Sequence, residues 1–178
     1  MAIIVVLGAI AFPSIESFYA EYKVTASGDA VRAAWAQARA QAMNDGRPYR
    51  FAVVPNKGNW RVAPDSSDFW GGNGGGGDSN GVVLEDVLPR GVRFSTMDAV
   101  RTGGVDQAGD AALPAGTASP EMFMPVATFY PDGTARGTSD DDADIVFHYS
   151  GARPLQVKLR GLTSTSTVQR LNMNGSIP

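Results

Sequence analysis

From Met1 to Gly46 the chain reads as one helical run, and almost everything after it reads as strand and turn. A helix of about 45 residues is roughly 68 Å long at 1.5 Å per residue, too long for a small domain to cover along its whole length. Its downstream half is therefore expected to give a face to a sheet, while its upstream half must meet other subunits or lipid. Between Ser14 and Met43 the helix breaker of note is Gly28, and Val24, Val31, Trp35, Ala38 and Ala42 recur at spacings of three, four or seven. That spacing makes one apolar stripe, the expected helix–sheet packing surface. The Ala-rich segment VRAAWAQARAQAM favours helix, and Asn44-Asp45-Gly46 followed by Pro48 reads as its stop.

The upstream part, MAIIVVLGAIAFP, is almost wholly apolar. Small Gly8, Ala9 and Ala11 permit close approach of another helix, while Ile3, Ile4, Val5, Val6, Leu7, Ile10 and Phe12 provide apolar surface. Pro13 removes a backbone donor and is placed to kink the rod; the alternative is that it closes an apolar tail. Ala2–Phe12 contains eleven apolar or small residues, whereas a membrane span needs about 20. No Lys or Arg precedes Lys23, so the basic segment of a secretory signal is not seen either. Both shortfalls are explained if Met1 lies inside a longer natural reading frame.

After Gly46 the period becomes strand-like. Residues 49–54 and 60–63 flank Pro55-Asn56-Lys57-Gly58-Asn59 as a hairpin, and 91–95, 122–130, 145–149, 155–159 and 167–173 read as further strands, with a turn at Pro131-Asp132-Gly133. Val82–Leu88 fits a short helix or a strand equally. Residues 65–81, including GGNGGGG, and 98–120 read as loops with little to bury. The expected fold is α+β: a long helix over residues 1–46, and a β-rich globular domain over 47–178 whose antiparallel sheet packs on it. With 178 residues and 43% hydrophobic content the chain can bury one core. A formal charge of −3 offers no basic field, so double-stranded nucleic acid is not an expected partner. The absence of cysteine excludes disulfides, thiolate chemistry and Cys-ligated metals.

Candidate reactive groups resolve poorly into chemistry. His148 lies in a strand without a coherent nucleophile or orienting partner, so no catalytic residue is assigned and no enzymatic activity is expected. Asp140, Asp141, Asp142 and Asp144 tempt a calcium assignment, but they lack the Gly and the final Glu of the helix–loop–helix calcium pattern and read as a solvated turn near Arg136. Gly74–Gly77 lacks the Gly-Lys-Ser/Thr ending of a phosphate loop, and Asp132 reads as a turn former. Neither a cofactor nor a metal is expected. Trp70 is read either as folded back onto the domain or as an interface anchor.

Several segments in order resemble a known family. VVLGAIAFPS, the Ala- and Arg-rich VRAAWAQARAQAMNDGRPYRFAV, LPRGVRF at 88–94, FYPDGTA at 129–135 and the late VKLRGLTS are similar to type IV pilins and pseudopilins. Within that family the fit is best to minor pseudopilin H of type II secretion and minor pilin T of type IV fimbriae, over nearly the whole chain except the two loops. The family's processing-site Gly, its methylated Phe and the Glu beyond it are absent ahead of Met1. Glu16 and Glu21, beyond Pro13, read as solvent-facing helix charges rather than as replacements for that Glu. The resemblance implies a structural subunit that sits in the bacterial inner membrane by a single span, with its domain in the periplasm. It would be processed by prepilin peptidase if the natural chain extends upstream. Its partners would then be other pseudopilin or pilin subunits through the N-terminal helix, membrane lipid, and exported proteins. The runner-up is a type IV minor pilin in pilus assembly, adhesion or DNA uptake, and the reading from another class is a monomeric membrane-anchored ligand-binding domain.

Overall fold

Helix α1 runs from Ala2 to Asp45, 44 residues that include Pro13 and Gly28. It ends at Gly46, whose φ of +64° is the left-handed conformation that closes helices and that glycine adopts without a Cβ penalty. The computed structural model describes residues 2–70, 81, 83–96, 112–138 and 142–172, with residues 2–17 described as backbone. Among the described residues nine strands follow α1: β1 (Tyr49–Val53), β2 (Asn59–Pro64), β3 (Leu84–Val87), β4 (Arg93–Ser95), β5 (Met124–Phe129), β6 (Ala135–Gly137), β7 (Ala143–His148), β8 (Leu155–Arg160) and β9 (Thr165–Arg170). A short helix, α2 (Ser67–Trp70), follows β2, and a 3-10 turn at Pro120–Met122 precedes β5.

The strands form two sheets, one of five in the order β3-β2-β1-β5-β6 and one of four in the order β4-β7-β8-β9. Every pairing is antiparallel, with a register shift between Phe51 and Ala52 where β1 meets β5. The α+β architecture expected from the sequence is thus present: an N-terminal helix packed on an antiparallel β domain.

Strand alternation explains where the core sits. On β1, Tyr49, Phe51 and Val53 face the main core, while Ala52 belongs to a second cluster with Val54, Ala118 and Phe123. On β8, Leu155, Val157 and Leu159 are buried and Gln156, Lys158 and Arg160 are not, the pattern of a sheet with one wet face. The helix fills the main core from its own side. Val24, Val31, Trp35, Ala38 and Ala42 are all buried there, with Ala20 and Ala34 extending the row. Trp35 meets Phe51 edge-on at 5.9 Å, and Phe51 stacks on Trp60 at 6.0 Å. Gly28 lets the rod approach β8, because a Cβ there would stand 2.7 Å from Leu155 Cδ2.

Some local expectations change. The ambiguous Val82–Leu88 segment carries a strand, β3, paired with β2. A short strand at Ala135–Gly137, β6, lies where only a turn and connector were read, and β9 begins at Thr165, two residues before the expected start at Thr167. Part of the first loop folds as α2, and part of the second loop is not loose: Leu113 and Ala118 pack on the outer cluster. The Asn59 amide fixes that segment by donating to Leu113 O at 2.7 Å and accepting from Leu113 N at 3.0 Å. The glycine run 74–77 lies outside the described residues.

The single-span placement in an inner membrane, with the domain in the periplasm, is corrected. Among the described residues no helix is long and apolar enough to cross a membrane. The physical reason is the run's length. Ala2–Phe12 covers roughly 17 Å at 1.5 Å per residue, about half of a 30 Å hydrocarbon core, and Pro13, Ser14, Glu16 and Ser17 follow at once.

Candidate assembly surface

Helix α1 changes character at Ala20, the first buried side chain described along it. Downstream of that point the rod is fastened by polar contacts as well as by the core. Arg170 Nη2 donates to Thr25 Oγ1 at 2.7 Å, Arg32 Nε donates to Ser166 Oγ at 3.0 Å, and Lys23 Nζ donates to Arg90 O at 3.1 Å. Lys23 also lies over the rings of Tyr19 (4.8 Å) and Tyr149 (5.1 Å). Buried Ser27 returns its hydroxyl to Lys23 O at 2.8 Å, which satisfies it inside the helix. At the other end the Tyr49 hydroxyl bonds the Asp45 carboxylate, and Arg47 stands 3.9 Å from the same group.

On the opposite side of the same turns, three aromatic side chains are open to solvent: Phe18 (79% exposed), Tyr19 (60%) and Tyr22 (70%). Phe18 and Tyr22 are four apart and Tyr19 and Tyr22 three apart, so they share one face, away from Ala20 and Val24. Large exposed aromatics clustered on one helix turn are the chemistry of a protein interface rather than of a solvated surface. Sequence reading did not single them out, because they fall off the Val24–Val31 stripe; the signal that reveals them is the Phe-Tyr-x-x-Tyr spacing itself.

Upstream, Ile3, Ile4, Val5, Val6, Leu7, Gly8, Ile10, Phe12 and Pro13 all lie on the α1 backbone, and what their side chains touch is outside the described residues. Glu16 is in the same position. Glu21 is half-exposed and stands 4.0 Å from Arg153, a surface pair of small energetic weight.

The other candidate residues disperse. His148 is half-buried in β7, opposite Arg93 of β4. Asp140 and Asp141 lie outside the described residues. Asp142 sits 3.2 Å from Lys158 Nζ and accepts from Gly161 N at 3.2 Å, and Asp144 accepts from Gln156 Nε2 at 3.1 Å. Among the described residues no group of three His, Asp or Glu side chains is placed to hold a metal ion. Asp132 is a turn former: its Oδ1 accepts from Thr134 N at 2.9 Å and Thr134 Oγ1 at 2.7 Å. Those bonds hold its carboxyl below the usual carboxylate range, and the Gly161 amide and Lys158 ammonium do the same for Asp142. Arg136 lies over the Tyr130 ring, 5.8 Å from its centroid. Trp70 folds back, its Nε1 donating to Pro64 O at 2.8 Å, with Arg50 and Arg61 over its ring and Phe123 edge-on.

Among the described residues the arrangement offers an aromatic face on the helix, made by Phe18, Tyr19 and Tyr22. No protein family, curated protein or solved structure matches the chain, so the pilin-like resemblance rests on the sequence segments alone.

Proposed function

We propose that this chain is a non-enzymatic filament subunit of the pilin-like kind, a minor pseudopilin that helps assemble or cap a type II secretion pseudopilus. One observation supports the reading above all others. On the 44-residue helix, Ala20 and Val24 are buried by the domain while Phe18, Tyr19 and Tyr22, on the other face of the same turns, are open to solvent. Upstream of those aromatics the sequence supplies seven large aliphatic or aromatic residues between Ile3 and Phe12. Burying them against helices of other subunits is worth roughly 10–20 kcal/mol of gross transfer free energy at about 1.5–3 kcal/mol each. Association entropy takes a large part of that sum, and the remainder drives assembly.

Co-expression with the pseudopilins of a type II secretion system, followed by purification through a tag on the C-terminal side of this chain, tests the reading. The pseudopilins are expected to co-purify with the unaltered chain and to be lost with Leu7→Asp plus Ile10→Asp, since a carboxylate cannot be buried cheaply at a helix seam. Co-purification that survives both substitutions would contradict assembly through this helix. Preferential capture of type IV minor pilins instead would assign the chain to a pilus.

A further inference from the structure

The edge of a β-sheet is a template for another chain unless its outward backbone groups are paired or blunted. Among the described residues the two sheets have four edges, β3, β6, β4 and β9, and three of them are protected. At β4 the Phe94 N–H is taken by Lys57 O at 2.9 Å, and at β6 the Ala135 N–H is taken by Gly161 O at 2.8 Å. At β3 the Val87 N–H bonds Asp86 Oδ1 at 2.7 Å, and the Glu85 carboxylate accepts from Gly116 N at 3.1 Å. Strand β9 is the exception. Leu171 N donates to Pro154 O at 2.9 Å, so in the β8–β9 register the odd-numbered residues turn their backbone groups toward β8. Ser166, Val168 and Arg170 therefore turn theirs outward, and no described residue takes them up. Thr165, Thr167, Val168 and Gln169 are all exposed, so the edge is open to an incoming chain. The strand also lacks Pro and Gly and is rich in β-branched residues, as a pairing edge requires.

We infer that β9 takes up an extended segment of another polypeptide as a further, antiparallel strand, with a β-branched residue opposite Val168 and an acidic residue opposite Arg170. The three outward residues exchange both backbone bonds with alternate residues of the incoming strand, over roughly 14 Å at 3.4 Å per residue. Their side chains share the α1 side of the sheet. There Val168 is 43% exposed although its cross-strand neighbour Val157 is buried, so α1 covers β8 and leaves β9 room for an apolar neighbour. Arg170 selects the acid. Its guanidinium donates to Thr25 Oγ1 and to the backbone oxygens of Glu21 and Arg153, all neutral acceptors, and no described carboxylate forms an ion pair with it. A second copy of this chain is the poorer occupant. Full self-pairing sets Val168 opposite Val168 and Arg170 of each copy opposite Ser166 of the other, whose hydroxyl already holds Arg32, so guanidiniums would crowd both ends. The inference is independent of the filament reading, because β9 belongs to the domain and the upstream half of α1 takes no part.

Saturation-transfer difference NMR with the full chain tests it, since the peptide is observed and the chain can be single or assembled. The probe is Ac-Glu-Thr-Val-Thr-Thr-NH2, whose Glu, Val and last Thr meet Arg170, Val168 and Ser166. Saturable binding is expected at about millimolar affinity or tighter, as suits a short peptide that must be ordered on binding. N-methylation of the peptide's Val amide, which faces β9, is expected to weaken binding about tenfold or more. N-methylation of the preceding Thr amide, which faces away, is expected to leave it unchanged. A peptide with Lys in place of Glu is expected to bind about tenfold more weakly. In the chain, Val168→Pro removes an outward N–H and keeps every bond to β8, a position where edge strands accept proline. It is expected to keep the circular dichroism of the unaltered chain and to lose the peptide. The inference is overturned if the peptide does not saturate, if the two N-methylated forms bind equally, if the Lys peptide binds as well as the Glu peptide, or if a folded Val168→Pro chain binds like the unaltered one. A concentration-dependent dimer that Val168→Pro abolishes, with no peptide binding, would overturn it in favour of a second copy.

Discussion

At Gly28 a hydrogen atom decides how close a helix can come to a strand. The added Cβ of any other residue would meet Leu155 Cδ2 at 2.7 Å, so the buried Leu155 side chain would have to shift. Glycine costs the helix roughly 1 kcal/mol relative to alanine, and the closer packing of Val31 and Trp35 offsets that cost. Gly28→Val is therefore expected to destabilise the fold by about 1–3 kcal/mol through overpacking, seen as a lower urea midpoint at unchanged slope. Trp35→Ala acts in the opposite way, by emptying the space beside Phe51, and is expected to cost about 3–5 kcal/mol in the same experiment. Asp132 and Asp142 each contribute to the pH dependence of stability. Both titrate below the usual carboxylate value in the folded chain, so the unfolded chain binds protons first as pH falls. Their contribution is fully present above about pH 4, near the unfolded carboxylate pKa, and disappears as pH falls through the folded values. Carbon-detected NMR titration should place both midpoints below the ordinary aspartate value of about 3.9. The Asp132 midpoint should rise in Thr134→Val, which removes the hydroxyl donor and leaves the Thr134 N–H and the Arg136 charge in place.

At the scale of elements, α1 buries one face against the domain from Ala20 onward and leaves Phe18, Tyr19 and Tyr22 exposed on another. Replacing Phe18 and Tyr22 together by Ser removes exposed surface that nothing in the domain covers. The expected change in unfolding free energy is within about 0.5 kcal/mol per substitution, while sedimentation should show weaker self-association or weaker binding to other subunits. A large loss of stability would mean that the aromatics serve the fold instead. The helix was legible because its Val24–Ala42 stripe, its Ala-rich segment and its Gly46 stop all point the same way. Strands β1, β2, β7 and β8 were legible from their apolar pattern. Strand β6 was not, since Ala135-Arg136-Gly137 has three residues and one glycine, and its pairing with β5 comes from the Pro131–Gly133 turn rather than from any period. The aromatic face escaped for a related reason: a periodicity search rewards the buried stripe, and an interface side chain by definition lies off it.

In the whole molecule a β domain packs on the downstream half of a long helix whose upstream sequence is apolar, the half that the proposed filament would bury between subunits. The domain is fastened to the rod at both ends of the clamp, by Arg170 and Lys23 near Ala20 and by Tyr49 at Asp45. The chain contains no cysteine, so single-cysteine variants report contacts without background. The decisive measurement is bismaleimide crosslinking of Ile10→Cys, with Glu121→Cys in the exposed turn before β5 as reference, in cells that also express the candidate partner pseudopilins, each carrying one cysteine at the matching helix position. The account predicts a ladder of crosslinked subunits from Ile10→Cys and monomer from Glu121→Cys. Monomer alone from Ile10→Cys, or equal ladders from both positions, would contradict assembly through the N-terminal helix.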